Sequence, residues 1–208
     1  MLAALRSLFR NHTNISDEQL LAMYGEIEVQ LEEGEYLSYR TVLSRTAEEM
    51  GRRLATELSA ENCRQFAESL KRWPPFPDTV DSLKILAKHY RLGIISNTDD
   101  DLFAASQKLL QVPFAMIVTA QQVQSYKPSL KNFQEAMKRT DVPKEKMLHV
   151  GQSLYHDIAP ANTLGLKNVW VNRRFGKPGP GATVAGDAKP GLEVRSLSEL
   201  AATLIPAA

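Results

Sequence analysis

The chain has 208 residues, 43% of them apolar and 24% charged, with a formal net charge of +1. That is the composition of an ordinary soluble globular protein, one moderate domain or a core with a small lobe. So even a balance gives no electrostatic pull toward nucleic acid or an anionic membrane, and no apolar run is long enough to span a bilayer. The single Cys63 excludes an internal disulfide and a cysteine-rich zinc site, and His12, His89, His149 and His156 show no metal-ligand spacing. "MLAALRSLF" lacks the basic segment and small-residue cleavage site of a signal peptide. A cytoplasmic protein is the plain reading, with no nucleic-acid and no membrane partner.

The first ~75 residues carry helical periodicity. Leu20, Tyr24, Ile27 and Leu31 fall on one face, as do Tyr39, Leu43, Ala47, Met50 and Leu54 in the next segment. Ser16 with Gln19 resembles a capping box. A charged helical pattern continues to Leu70, and the three prolines of "RWPPFPDT" then mark a boundary. After Pro77 helices and strands alternate. Asp78 is placed to cap a helix with the apolar face Val80, Leu83, Ala87 and Tyr90. "RLGIIS" reads as a buried strand, followed by a helix with Leu102, Phe103, Ser106 and Leu110 on one side. "FAMIVTA" is a second strand, and Ser129 caps a helix with Phe133 and Met137. "MLHVG" is a third strand, Asp157 opens a helix that Gly165 closes, and "NVWVN" is a fourth strand. Gly176 to Gly191 is a loop of mobile character, and a last helix spans roughly Ser198–Leu204. The reading is α/β: residues 1–75 a helical domain, residues 76–208 a Rossmann-like parallel sheet covered on both faces. Ligands bind beyond the carboxyl ends of the strands in such sheets, which directs attention to Ser96-Asn97, Ser125–Pro128 and Gly151–Asp157.

In that order "IISN", "SYKP" and "VGQSLYHD" resemble the second, third and fourth motifs of the haloacid dehalogenase-like (HAD) superfamily, and within it the type II 2-haloacid dehalogenases. "WPPFPDTVDSLKIL" and "VWVNRR" also resemble stretches typical of that group, so the similarity runs from about Tyr36 to the C-terminus. The resemblance implies a helical cap over a Rossmann-like core, a small carboxylate substrate, no cofactor, and dimers as a common assembly. It implies a mechanism in which an aspartate ending the first strand attacks the substrate and water hydrolyses the ester. It assigns Ser96 and Asn97 to the substrate anion, beside the partial positive charge of a helix N-terminus. Lys127 would orient the nucleophilic carboxylate, Asp157 would orient Lys127 or a water, and Ser153 would line the pocket. The resemblance gives Asp99, Asp100 and Asp101 no chemistry; they read as a solvated first helical turn, where acids are favourable.

Several positions depart from the group. Phe133 stands where its dehalogenases carry a tyrosine, and no arginine occupies the cap-helix stretch "MYGEIEVQ", Arg40 being the nearest candidate. Gln152 stands where related phosphatases have a magnesium-binding aspartate; a neutral amide suits a hard cation poorly, so no metal site is expected. The first motif itself, an apolar strand ending in aspartate, is missing. Asp17 follows a polar, helix-capping segment and does not supply it. Three accounts fit: a start at an internal methionine of a longer protein, which the intact later motifs favour; a truncated paralogue; or a strand from another segment or subunit. The leading reading is a metal-independent hydrolase of 2-substituted carboxylic acids, whose nucleophile is absent from this sequence. The alternatives are a HAD phosphatase, against which Gln152 counts, and a non-catalytic binding protein on the same scaffold. On the leading reading the strands near Leu92–Ser96 and Leu148–Gly151 lie apart by a strand's width, pressed together, or bridged by another segment.

Overall fold

The computed structural model describes residues 1–205. Four helices come first: α1 (Leu2–Leu8), α2 (Asp17–Glu32), α3 (Tyr39–Arg53) and α4 (Ala60–Ser69), the last continued by a 3-10 turn at Leu70–Arg72. Local chemistry sets their starts. Ser16 and Gln19 close a reciprocal capping box on α2, and Ser59 and Asn62 do the same on α4. The inward stripes of α2 to α4, including Leu20, Tyr24, Ile27, Val42, Leu43, Ala47, Met50 and Phe66, share one apolar core with Leu5 and Phe9.

The alternating half follows: α5 (Thr79–Leu86), β1 (Gly93–Ser96), α6 (Asp100–Leu110), β2 (Met116–Thr119), α7 (Ala120–Val123), α8 (Leu130–Lys138), β3 (Leu148–Gly151), α9 (Ala159–Thr163), β4 (Lys167–Val171), β5 (Leu192–Val194) and α10 (Leu197–Leu204). Two sequence expectations need correction here. The face α5 buries is Thr79, Ser82 and Leu86; Ala87 and Tyr90 are exposed, because the helix ends at Leu86. Asp78 makes no side-chain cap to α5: its carboxylate instead accepts from Arg173 (2.8 Å) and from the backbone N–H of Leu197 (2.7 Å), tying α5 to the start of α10.

All strand pairs are parallel, and the sheet comes in two pieces. β1 pairs with β2, Gly93 opposite Met116 through Ser96 opposite Thr119. β3 pairs with β4, Leu148 opposite Lys167, and β4 with β5. Among the described residues β1 and β3 bond neither to each other nor to a common neighbour. The burial pattern is inverted accordingly. In a parallel sheet covered on both faces the inner strands are normally the driest. Here Val118 of β2 and Val169 and Val171 of β4 are buried, whereas Ile94 and Ile95 of β1 and Val150 of β3 are only partly so.

Asp99 ties the two halves together. It is 2% exposed, and its two oxygens accept from the backbone N–H groups of Tyr39 (2.8 Å) and Arg40 (2.9 Å), the first turn of α3. The expected solvated turn is therefore corrected: Asp99 caps a distant helix, where a carboxylate also meets the favourable end of the helix dipole. Asp100 accepts from Thr119 and Gln122, and Asp101 pairs with Arg40 and Lys71. Asp99→Ala should cost about 2–3 kcal/mol, because two charge-assisted hydrogen bonds vanish and two N–H groups lose their acceptor. Urea unfolding of the variant measures this, and a loss below about 0.5 kcal/mol would refute the tie.

Candidate functional site

The three sequence stations meet at the carboxyl ends of β1 and β3. Asn97, directly after β1, clamps the peptide of Lys127. Its Oδ1 accepts from the Lys127 N–H at 2.7 Å and its Nδ2 donates to the Lys127 carbonyl at 3.1 Å. The Lys127–Pro128 bond is cis. The lysine Nζ, so anchored, donates to Asp157 Oδ1 at 2.6 Å. Asp157 is further held by His149 Nε2 at 3.2 Å and by the Ser153 N–H at 3.1 Å. Burial works against its ionisation, but the Lys127 ammonium and His149 outweigh it and hold the carboxyl far below the usual range.

Gly151 is needed for close approach rather than for a turn: a Cβ there would lie 2.3 Å from the Asp157 Cβ. The helical segment after β3 opens as a π-helical turn, Leu154–Ile158, and its cap is Ser153, whose Oγ accepts from the His156 N–H at 3.0 Å. Asp157 therefore does not open the helix as expected; it lies inside the turn, facing Lys127.

These groups line a cavity of about 190 Å³ between the core and α2. Asn97, Lys127, Gln152, Ser153, His156 and Asp157 form the core side, and Glu28, Glu32 and Tyr39 the helical side. Thr183 closes the rim, its hydroxyl 3.0 Å from Ser153 Oγ. The glycine-rich loop is thus seated, because Gly25 of α2 offers no Cβ and lets the Ala182–Thr183 backbone approach to 3.0 Å of where one would be. A larger open hollow of about 620 Å³ beside α2, lined by residues such as His12, Gln19 and Arg53, contains none of the motif residues.

Of the five residues singled out by sequence, four line the cavity and Ser96 does not; its hydroxyl bonds Thr98 at 3.0 Å. The first amide of α6, from Asp100, is taken by Gln121 Oε1 at 2.8 Å. Arg40 also lies outside, paired with Glu68 and Asp101. Phe133 is 1% exposed, packed on the His149 ring with centroids 4.9 Å apart.

Sequence reading missed the two acids facing the cavity. Glu28 and Glu32 lie one and two turns beyond Tyr24 on α2, at i+4 spacing, which places them beside its buried stripe; that spacing was the available signal. Glu28 accepts from the hydroxyls of Tyr24 (2.5 Å) and Tyr39 (2.6 Å). Glu32 accepts from Asn97 Nδ2 at 3.2 Å and lies 3.7 Å from His156 Nε2, its side chain 4% exposed. Burial raises both carboxyls, and repulsion from Glu28 raises Glu32 further, although Lys127 opposes it. Burial, with Lys127 adding to it, lowers His156 to about 4, so the ring is neutral at pH 7.

A folded-state pKa raised above the unfolded one is a cost that begins as pH rises through the unfolded value, about 4.3 for Glu. Glu32→Gln should therefore raise Tm at pH 8 by at least about 2–4 °C, the size of a ~1 kcal/mol change in a chain of this length, and leave it unchanged near pH 4. Thermal melts at the two pH values measure this, and an equal shift at both would contradict a buried, strained carboxylate.

Residues 9–171 match the family model described as haloacid dehalogenase-like hydrolase. The chain is 29% identical over 155 residues to an (S)-2-haloacid dehalogenase of Pseudomonas putida, covering 73% of this chain and 66% of that protein, just under two thirds. It is 33% identical over 103 residues to a glyceraldehyde 3-phosphate phosphatase of Methanothermobacter thermautotrophicus, 47% of this chain and 45% of that one. Among solved structures it superposes on L-2-haloacid dehalogenase from Xanthobacter autotrophicus with TM-score 0.81 at 15% identity, over 100% of this chain and 94% of that one.

Proposed function

This chain belongs to the haloacid dehalogenase-like hydrolase family, and on that premise we propose that it is the body of a hydrolase acting on small 2-substituted carboxylic acids through an aspartyl ester. The observation that supports this reading most is Lys127, clamped by Asn97 and paired with Asp157 near the carboxyl ends of β1 and β3, each of which has one edge unpaired among the described residues. The nucleophile is assigned to an aspartate on a strand that lies outside this sequence and enters between β1 and β3. Asp157 takes the orienting role instead: it lies inside the turn after β3 and does not end a strand, and His149, the Ser153 N–H and Lys127 all hold it in place.

The hydrolysis takes two steps. An oxygen of the strand aspartate attacks C2 of a 2-halo acid, the C–O bond forms, and halide leaves with the bonding electrons. Lys127 holds the attacking carboxylate and steadies its charge. Water then adds to the ester carbonyl, the enzyme acyl–oxygen bond breaks, and the 2-hydroxy acid departs with one proton released to solvent. Asn97 and Ser153 flank the substrate, and Ser96 sets the exit of β1 rather than touching it.

The phosphatase relative supports a second reading, which needs a divalent cation. The residues of this chain fit one poorly: Gln152 presents a neutral amide, and Asp157 is bound to an ammonium at 2.6 Å. Among the described residues no group of three His, Cys, Asp or Glu side chains is placed to hold a metal. The discriminating experiment uses protein expressed with the reading frame upstream of Met1. Halide release from 2-chloropropionate, unaffected by EDTA, is expected. Magnesium-dependent release of phosphate from p-nitrophenyl phosphate, with no halide release, would establish the phosphatase instead.

A further inference from the structure

The cavity has a core wall, a helical wall and a rim, and they are held differently. Asn97 clamps the core wall at Lys127. The helical wall is tied by Asp99, whose buried carboxylate accepts from the N–H groups of Tyr39 and Arg40, and by Asp101, which pairs with Arg40 and Lys71. The rim is Ala182 and Thr183, on the segment that leaves the core after β4 and returns before β5.

Both ends of that segment are pinned. Arg174 donates to the carbonyls of Pro178 and Gly179, and Asn162 Nδ2 donates to the Lys189 carbonyl at 2.9 Å. Between them the chain is loosely held: among the described residues no main-chain N–H or carbonyl of residues 180–188 makes a hydrogen bond. Gly179 and Gly181, at the near end, have φ of 66° and 83°, which glycine adopts without steric cost. The stretch is seated by a hydroxyl and by close approach at glycines. Thr183 Oγ1 lies 3.0 Å from Ser153 Oγ and 3.2 Å from His156 Nδ1. A Cβ at Gly25 would lie 3.0 Å from the Thr183 nitrogen, and one at Gly186 2.8 Å from the Tyr155 nitrogen. Ala182 also packs on the apolar core of the helices. Neutral hydroxyl contacts are weaker than the charge-assisted bonds that hold α3, and segments short of main-chain hydrogen bonds open at the low end of a protein's local stability.

We infer that residues 180–188 are a strap that gates the cavity. Seated on Gly25 and bonded through Thr183, the strap closes the rim; it swings out between its pinned ends to admit and release a ligand while the helical half stays in place. The gate follows from how the walls are held, whatever the substrate.

Diethyl pyrocarbonate, which acylates neutral imidazoles, reads the gate in the 208-residue chain, with each histidine followed by peptide mass analysis. His156 has a neutral ring and lies behind Thr183; His149, packed on Phe133 and engaged by Asp157, touches no part of the strap; His89 is exposed. Wild-type His156 is expected to react at least about tenfold slower than His89, the scale of one or two hydrogen bonds that must open first. Gly25→Leu keeps α2, since leucine is a good helix former, and fills the seat of the strap. It should speed His156 by about tenfold and leave His149 and Tm unchanged. Thr183→Val removes only the hydroxyl contacts and should speed His156 roughly fivefold. Gly34→Ala, where a Cβ meets nothing within 4 Å, should change no rate. An unchanged His156 rate in folded Gly25→Leu overturns the gate, and Thr183→Val decides in the same way where Gly25→Leu does not fold. Faster reaction of His149 and His156 together marks general loosening and also overturns it. So does wild-type His156 reacting as fast as His89, because the cavity is then open with the strap in place.

Discussion

Lys127→Ala is expected to remove about 3–5 kcal/mol of stability, the cost of breaking a buried ion pair by deleting one partner. The side chains of Lys127 and Asp157 are 12% and 9% exposed, so water reaches the abandoned carboxylate only from the cavity they line. The abandoned carboxylate keeps only His149 and the Ser153 N–H as neighbours. Against a total of roughly 5–15 kcal/mol, that is enough to bring the chain near unfolding. Replacing both partners by apolar residues should cost less than the single change, because no uncompensated charge remains.

The pH dependence has a definite sign. The Asp157 carboxyl is depressed in the folded state despite its burial, because Lys127 and His149 favour the charged form. Its stabilisation is therefore fully present above the unfolded value of about 3.9 and is lost only as pH falls through the lower folded one. The gap between wild type and Lys127→Ala should stay constant from pH 8 to about pH 4 and narrow below it. Urea denaturation across that range measures both points, and a gap under about 1 kcal/mol at pH 7 would count against a buried pair.

What could be read from the sequence was local. The capping box at Ser16, the breaks at Pro74 and Pro75 and the strand–helix alternation after Pro77 rest on neighbours within a few residues, and the structure places them where expected. The short strand β5 was not legible, since three residues after a glycine- and proline-rich loop carry no period. Contacts across long sequence separations were also hidden. Asp99 looked like any acid opening a helix, and only the fold shows it capping α3, which begins 60 residues earlier. The motif residues were found because they sit in short stretches, "IISN", "SYKP" and "VGQSLYHD", whose order resembles a known family. Glu28 and Glu32 were not, because an acid next to an apolar stripe reads as a solvated flank until the opposite wall is known.

The second large effect concerns the open edges of β1 and β3. Each central backbone group left without a partner costs on the order of 1–3 kcal/mol, and Ile94, Ile95 and Val150 are incompletely covered. A strand entering between them would pair both edges, bury those side chains and deliver its terminal aspartate to Lys127. Protein that includes the residues encoded upstream of Met1 is expected to slow amide exchange at Ile94, Ile95, His149 and Val150. It should also hydrolyse 2-chloropropionate at least on the order of 10⁴-fold faster than the 208-residue chain, the scale of losing a catalytic nucleophile.

The most direct measurement is a single turnover of the upstream-extended protein with 2-chloropropionate in water enriched in oxygen-18, followed by mass analysis of the product and of the enzyme's peptides. An aspartyl ester hydrolysed at its carbonyl predicts light oxygen in the first-turnover 2-hydroxypropionate and heavy oxygen in the aspartate of the inserted strand. Heavy oxygen in the first-turnover product, with no label in that peptide, would contradict the account.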